Sequence, residues 1–209
     1  MRRLAASLLV ALPILARGAS EESPLFRAID EGKAVVAEGL VVRRLADLNA
    51  RNAEGETPLH RAAEQGMGPL LRRLLTAGAS VRARSHHGET PLHLAALHAD
   101  PTYVEMLLAG GADPKARNDS GESVLLWAAL TGNVRTARAL IEHGADPNVP
   151  DLKGDLPLHA AADGGFRDLV ELLLPLTRDP QAKDREGLTA LDFAKASGDA
   201  AVVELLTPR

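Results

Sequence analysis

Glycine recurs at positions 55, 88, 121, 154 and 187, each step being 33 residues, and other columns keep the same phase. Thr57, Thr90, Ser123, Leu156 and Thr189 stand two residues after each glycine, and Pro58, Pro91 and Pro157 follow three of them. His60, His93 and His159 close those three tetrads. Ala63, Ala96, Ala129 and Ala162 form another column, and Leu74, Leu107, Leu140, Leu173 and Leu206 a further one. Self-similarity at a fixed period marks an array of one supersecondary unit, and a unit this short buries its apolar face only by stacking on its neighbours. One or two compact, non-repeating domains are thereby excluded.

Each column has a physical task. Thr before Pro reads as a helix N-cap followed by the first helical residue: the hydroxyl accepts an orphan N–H, and proline has none to orphan. Paired alanines in the first helix allow close approach of a neighbouring helix. The second helix carries its bulk at i, i+3 and i+4, as in Leu70, Leu71, Leu74, Leu75 and in Val104, Leu107, Leu108. Gly78, Gly111 and Gly144 precede alanine where the second helix ends, which predicts a left-handed residue. Each unit is therefore a tight turn and two short antiparallel helices.

At this point the chain resembles the ankyrin repeat family. Thr57-Pro-Leu-His-Arg-Ala-Ala and Thr90-Pro-Leu-His-Leu-Ala-Ala carry the likeness, which extends over about residues 22–209. It implies an all-α ankyrin-repeat solenoid of about six units: 22–51, 52–84, 85–117, 118–150, 151–183 and 184–209. The first unit has one extra residue before Ala46, and the last ends directly after its second helix, so both read as caps. Ser123 lacks the following Pro and His, and Leu156 replaces the capping Thr, so those two turns are expected to be weaker by about 1 kcal/mol each if nothing substitutes. Pro175 and Thr177 replace the usual Gly-Ala exit of the fifth unit, which predicts a different loop over 175–182.

Residues 1–20 stand outside the repeat. Met1-Arg2-Arg3, the apolar run Leu4 to Ala16 and the small residues Gly18, Ala19 and Ser20 follow the order of a secretory signal peptide, cleaved after Gly18, Ala19 or Ser20. Thirteen apolar residues are too few to cross a hydrocarbon core of about 30 Å. The expectation is a secreted protein or, in a Gram-negative bacterium, a periplasmic one with no stable membrane insertion. The full chain has a formal charge of −4; removing 1–18 takes Arg2, Arg3 and Arg17 and leaves 21 basic against 28 acidic residues, or −7. No general basic field is available for nucleic acid. Zero cysteines exclude disulfides, thiolate chemistry and Cys-based zinc sites.

The residues give no reason to expect an enzyme or a cofactor. Ser, His and Asp recur in structural columns with no nucleophile set beside a base. In the ankyrin family the tetrad histidines hydrogen-bond within and between turns, which the resemblance carries to His60, His93 and His159. His86, His87 and His98 leave a metal-binding protein as an alternative of another class.

The resemblance implies protein–protein recognition through a concave face lined by the turns and the ends of the first helices. By phase these positions are Ala53, Glu54, Glu56, Glu64 and Gln65; His86, His87, Glu89, Leu97 and His98; Asp119, Ser120, Glu122, Leu130 and Thr131; Leu152, Lys153, Asp155, Asp163 and Gly164; and Arg185 and Glu186. Carboxylates dominate them. Arg43, Arg44, Arg72, Arg73, Arg82, Arg84, Arg117, Arg135 and Arg138 fall on second helices and exits, which predicts a basic back. The expected partner is a protein with a basic surface, held by a monomer, with Leu97, Leu130 and Leu152 as apolar anchors. An inhibitor, immunity or accessory role toward a periplasmic enzyme is the alternative within binding.

Overall fold

The computed structural model describes residues 23–208. The expected leader, 1–20, lies outside the described residues, which form twelve helices and no strand. The helices come in antiparallel pairs: α1 (Pro24–Asp30) with α2 (Ala34–Val42), α3 (Pro58–Glu64) with α4 (Gly68–Thr76), α5 (Pro91–Ala95) with α6 (Thr102–Ala109). The remaining pairs are α7 (Val124–Leu130) with α8 (Val134–Glu142), α9 (Pro157–Asp163) with α10 (Arg167–Leu173), and α11 (Ala190–Ser197) with α12 (Ala200–Leu206). First helices pack on first helices and second on second, so the fold is the all-α ankyrin solenoid.

The periodic columns are the core. Leu74, Leu107, Leu140, Leu173 and Leu206 are all buried, as are Leu59, Leu92, Leu125 and Leu158 on the first helices. The pairs Ala62-Ala63, Ala95-Ala96, Ala128-Ala129 and Ala161-Ala162 are fully enclosed, giving first helices room to touch. Fully burying one leucine stabilises by about 2 kcal/mol, and no single pair of helices could enclose its own set.

The helix starts differ from the sequence expectation in one respect. Thr57 and Thr90 do not cap through a hydroxyl that accepts. Instead the histidine three residues on turns Nδ1 back to the N-cap: Thr57 N–H donates to His60 at 3.0 Å and Thr90 N–H to His93 at 3.1 Å. Each threonine hydroxyl donates to the same Nδ1 at 2.9 Å. With two donors aimed at it, Nδ1 bears no proton, and the single ring N–H sits on Nε2. That N–H donates across to the next turn, from His60 to the Glu89 carbonyl at 3.1 Å and from His93 to that of Glu122 at 3.3 Å.

This arrangement corrects the two expected weak turns. Leu156 has no hydroxyl, yet its N–H donates to His159 Nδ1 at 2.9 Å, so the main capping bond survives. Ser123 has no histidine after it, and its Oγ accepts from Leu126 N–H at 3.1 Å.

Gly78, Gly111 and Gly144 end their helices at φ of +91°, +90° and +96°, as the sequence predicts. In the first unit Arg44 holds that left-handed place at φ 55°, followed by the extra residue before Ala46. The fifth exit does take another path. A 3₁₀ turn, Leu174–Leu176, leads to Thr177 at φ −83°, whose hydroxyl donates to the Leu173 carbonyl at 2.9 Å. Asn148 of the preceding unit clamps this loop, donating to the Leu176 carbonyl at 3.1 Å and accepting from Arg178 N–H at 2.7 Å.

Candidate partner-binding surface

The turns preceding the first helices are built alike. A short polar side chain at 52, 85, 118, 151 and 184 accepts the backbone N–H four residues on: Asn52 from Glu56 at 2.9 Å, Ser85 from Glu89 at 3.2 Å, Asn118 from Glu122 at 2.9 Å, Asp151 from Asp155 at 2.8 Å and Asp184 from Leu188 at 2.8 Å. Local bonding of this kind is why Asn, Asp and Ser serve turns. Backbone bonds join successive turns into a ridge: His86 N–H to Glu54, Asp119 N–H to His87, Leu152 N–H to Ser120 and Arg185 N–H to Lys153, each spanning 2.8–3.0 Å.

Glu56, Glu89, Glu122 and Asp155 form one column 33 residues apart along this ridge. The first three are held by the same side chains that close their turns. Asn52 donates to Glu56 Oε2 at 2.7 Å, Ser85 Oγ to Glu89 Oε2 at 3.1 Å and Asn118 to Glu122 Oε2 at 2.7 Å. Trp127 adds its indole N–H to Glu122 Oε2 at 2.9 Å. These carboxylates, expected on the partner-binding face, are buried or half-buried structural groups as well as charges. Burial pushes the Glu89 carboxyl above its usual range, against the lowering by the Ser85 bond, and the charges of Glu56 and Glu122 add to the rise.

Asp155 is the exception. It is 4% exposed, and its Oδ1 is buried without a hydrogen-bond partner. Aspartate at 151 has no N–H to offer it. Burial, then the neighbouring Asp151, Asp184 and Glu186, raise the Asp155 carboxyl to about 6, with Lys153 opposing.

The other predicted positions divide. His86, His87, Asp119, Ser120, Leu152 and Lys153 are exposed on the ridge, and Leu152 leaves 52% of its surface open. Asp119 accepts from Arg84 at 3.0 Å. At the ends of the first helices Glu64 pairs with Arg61, and Gln65 reaches Asp30 at 3.4 Å. Leu97 and Leu130 pack against the core instead of standing out as anchors. The Thr131 hydroxyl donates to its own helix, and Asp163 is half-buried. The His98 ring is no solvent-facing contact: its Nε2 reaches the carbonyls of Ala63 and Glu64 at 3.0 and 2.9 Å, and it stacks edge-on against Tyr103. Among the described residues no three His, Cys, Asp or Glu side chains stand close enough to hold a metal ion, so His86, His87 and His98 do not form one site.

The arginines also divide. Arg43, Arg72, Arg73, Arg135 and Arg138 are exposed. Arg84 and Arg117 are not part of the expected basic back. They belong to a ladder that sequence reasoning missed: Arg51 donates to the Arg84 carbonyl at 2.7 Å, Arg84 to that of Arg117 at 3.0 Å, and Arg117 to that of Pro150 at 2.7 Å. The 33-residue spacing of 51, 84 and 117 was the available signal.

A family model describing ankyrin repeats matches residues 25–118, 59–151, 99–184 and 125–209, overlapping segments that together cover nearly all of the described chain. The chain belongs to the ankyrin repeat family. A search of curated proteins finds no significant match. Ankyrin repeats mediate protein–protein interaction and are in general not enzymes. Among the described residues of this ankyrin chain, no helix is long and apolar enough to cross a membrane.

Proposed function

We propose that this ankyrin chain is a non-catalytic binding module that holds a basic segment of a partner protein along its turn ridge. The observation carrying this reading is the acidic column of Glu56, Glu89, Glu122 and Asp155, continued outward by exposed Asp119 and flanked by the open apolar surface of Leu152. A row of like charge at a fixed pitch steers an oppositely charged chain and sets its register. Leu152 supplies desolvated contact beside it. The signal-like residues 1–20 support a secreted or periplasmic location, which N-terminal sequencing of the mature protein checks.

The test is capture of a partner from an envelope extract, followed by affinity measurements with the purified partner. The combined variant Glu54→Gln, Glu89→Gln, Asp119→Asn keeps acceptor oxygens and removes three charges. It should bind about tenfold more weakly and with a shallower salt dependence. Unchanged binding would reduce these carboxylates to solubility charge. If the partner is an enzyme, its activity with and without the chain separates inhibitor from accessory.

A further inference from the structure

The first unit leaves apolar surface open where the later units do not. Val35, Val36, Val42 and Leu45 are four of the seven large apolar side chains that stand exposed among the described residues, each with more than half its surface open. Position explains Val36: α2 has no earlier helix pair to stack on among the described residues, whereas Leu70, its counterpart in α4, is fully buried. Position does not explain Val35 and Val42. Seven residues apart, they share the side of α2 turned away from buried Ala37. The same places in later units hold Thr102, Arg135 and Asp168, and Thr76 and Glu142. A terminal repeat ordinarily turns a polar face outward, because an uncovered apolar one promotes association.

The same end carries an excess of cations. Its carboxylates are engaged: Glu31 with Lys33 at 2.7 Å, Glu38 with Arg73 at 2.5 Å, Asp30 with Arg61 at 2.6 Å, and Asp47 by the N–H of Asn49 at 2.9 Å. Arg43, Arg44 and Arg72 are exposed and have no carboxylate partner among the described residues. Arg43 and Arg44 stand between Val42 and Leu45, and Arg44 holds, at φ 55°, the left-handed place that glycine fills at later exits. Glycine there would relieve the strain and lose the charge. Beside them a cleft of about 570 Å³ opens between α2 and α4, lined in part by Val42, Ala46 and Leu48 and by Arg44 and Arg73.

Open apolar side chains set among unpaired guanidinium groups complement an anionic bilayer surface. The valines and leucine enter the headgroup boundary, and the arginines meet lipid phosphates. The chain's own order points the same way. The apolar run Leu4 to Ala16 ends seven residues before Ser23, the N-cap of α1, and a leader of that kind engages a membrane during export. The first unit is then the part of the array nearest the lipid. The geometry points to this unit as a peripheral anchor that seats the array on an anionic bilayer, through the Val35 and Val42 side of α2 and the loop at Leu45. This goes beyond the ridge reading and leaves the turns from 52 onward free for a partner. No helix among the described residues is long and apolar enough to span the bilayer, so the contact is with its surface.

The experiment sediments the purified protein, its N-terminus sequenced, with vesicles of phosphatidylcholine alone and of phosphatidylcholine with about one third phosphatidylglycerol. Binding to the anionic vesicles should be about tenfold stronger or more, and should fall as salt rises. The combined variant Val35→Ser, Val42→Ser, Leu45→Ser should lower partition about tenfold. Arg43→Gln, Arg44→Gly, Arg72→Gln should lower it by a similar factor, with the glycine easing the backbone at 44. All six positions are exposed, so helicity and melting temperature should hold in both variants. Each keeps the parent's N-terminus, so any contribution of the leader is common to all. Leu176→Ser, at the exposed apolar residue of the fifth exit, should leave partition unchanged. Equal binding to both kinds of vesicle, or parent-level binding by either triple variant, overturns the proposal. So does a dimer of the parent that the Val35, Val42 and Leu45 changes dissociate while neither protein binds vesicles, which would assign the patch to a second copy of the chain.

Discussion

In the second turn an amide stands four residues before a glutamate, and in the fifth both places are aspartates. The backbone does not register the change: Asn52 and Asp151 accept the same N–H of the fourth residue on, at 2.9 and 2.8 Å. The helix starts match too, with His60 and His159 each accepting an N-cap N–H through Nδ1. What differs is the fate of the carboxylate, bonded at Glu56 and orphaned at Asp155. The turn path is thus set by an acceptor that Asn, Ser and Asp all provide, which leaves the donor half of the residue free to vary without loss of fold. Binding chemistry can change at a position where folding chemistry does not.

The largest expected effect probes what the two turns share. His60→Ala removes the acceptor for Thr57, the donor to Glu89 and a fully buried ring, and should cost about 3 kcal/mol or more, read as a lowered melting temperature. His159→Ala should cost less, because Leu156 offers no hydroxyl bond to lose. Equal losses would mean that the threonine hydroxyl contributes nothing.

Acid should separate the turns next. Burial depresses both His60 and His93 to about 4, below the 6.5 of an open chain. Between those values the unfolded state binds protons that the folded state does not, so stability present above pH 6.5 is lost as pH falls toward 4, by on the order of 3 kcal/mol for each ring. Asp155 works in the opposite direction: its carboxyl, raised to about 6, takes up a proton in the folded state first and returns part of that loss between pH 6 and 4. Chemical denaturation across this range should show a net decline, steeper in Asp155→Asn than in the parent chain. A flat profile would contradict the depression of the two ring pKa values by burial.

The smallest effect sharpens the contrast itself. Asp151→Asn gives the fifth turn the donor of the second and should stabilise by about 1 kcal/mol at pH 7, with the gain shrinking at pH 5, where Asp155 is protonated. No gain at either pH would show that the missing donor is already replaced by solvent.

Much of this was legible in the residues. The 33-residue period fixed the stacked helix pairs, the buried leucine column and the left-handed glycines, because each depends on backbone path and volume alone. The altered fifth exit followed from Pro175 and Thr177. Less legible was which polar atoms meet. Thr57 before Pro58 reads as a hydroxyl cap accepting a helix N–H, yet the hydroxyl turns to the His60 ring, which also accepts the Thr57 N–H. Glu56, Glu89 and Glu122 read as open contacts because nothing local marks burial, although a polar residue four places earlier in each unit was a visible clue. Leu97 and His98 were misplaced for another reason: α5 ends at Ala95, sooner than the other first helices, and the residues after it turn inward.

The arginine ladder has a mechanical corollary. Its rungs tie 51 to 84, 84 to 117 and 117 to 150, and at 150 the next rail position is a proline with no side-chain donor. Beyond Pro150 the tie between neighbouring units passes to Asn148, which bonds the Leu176 carbonyl and the Arg178 N–H, so the array changes its fastener between the fourth and fifth repeats without changing its pitch.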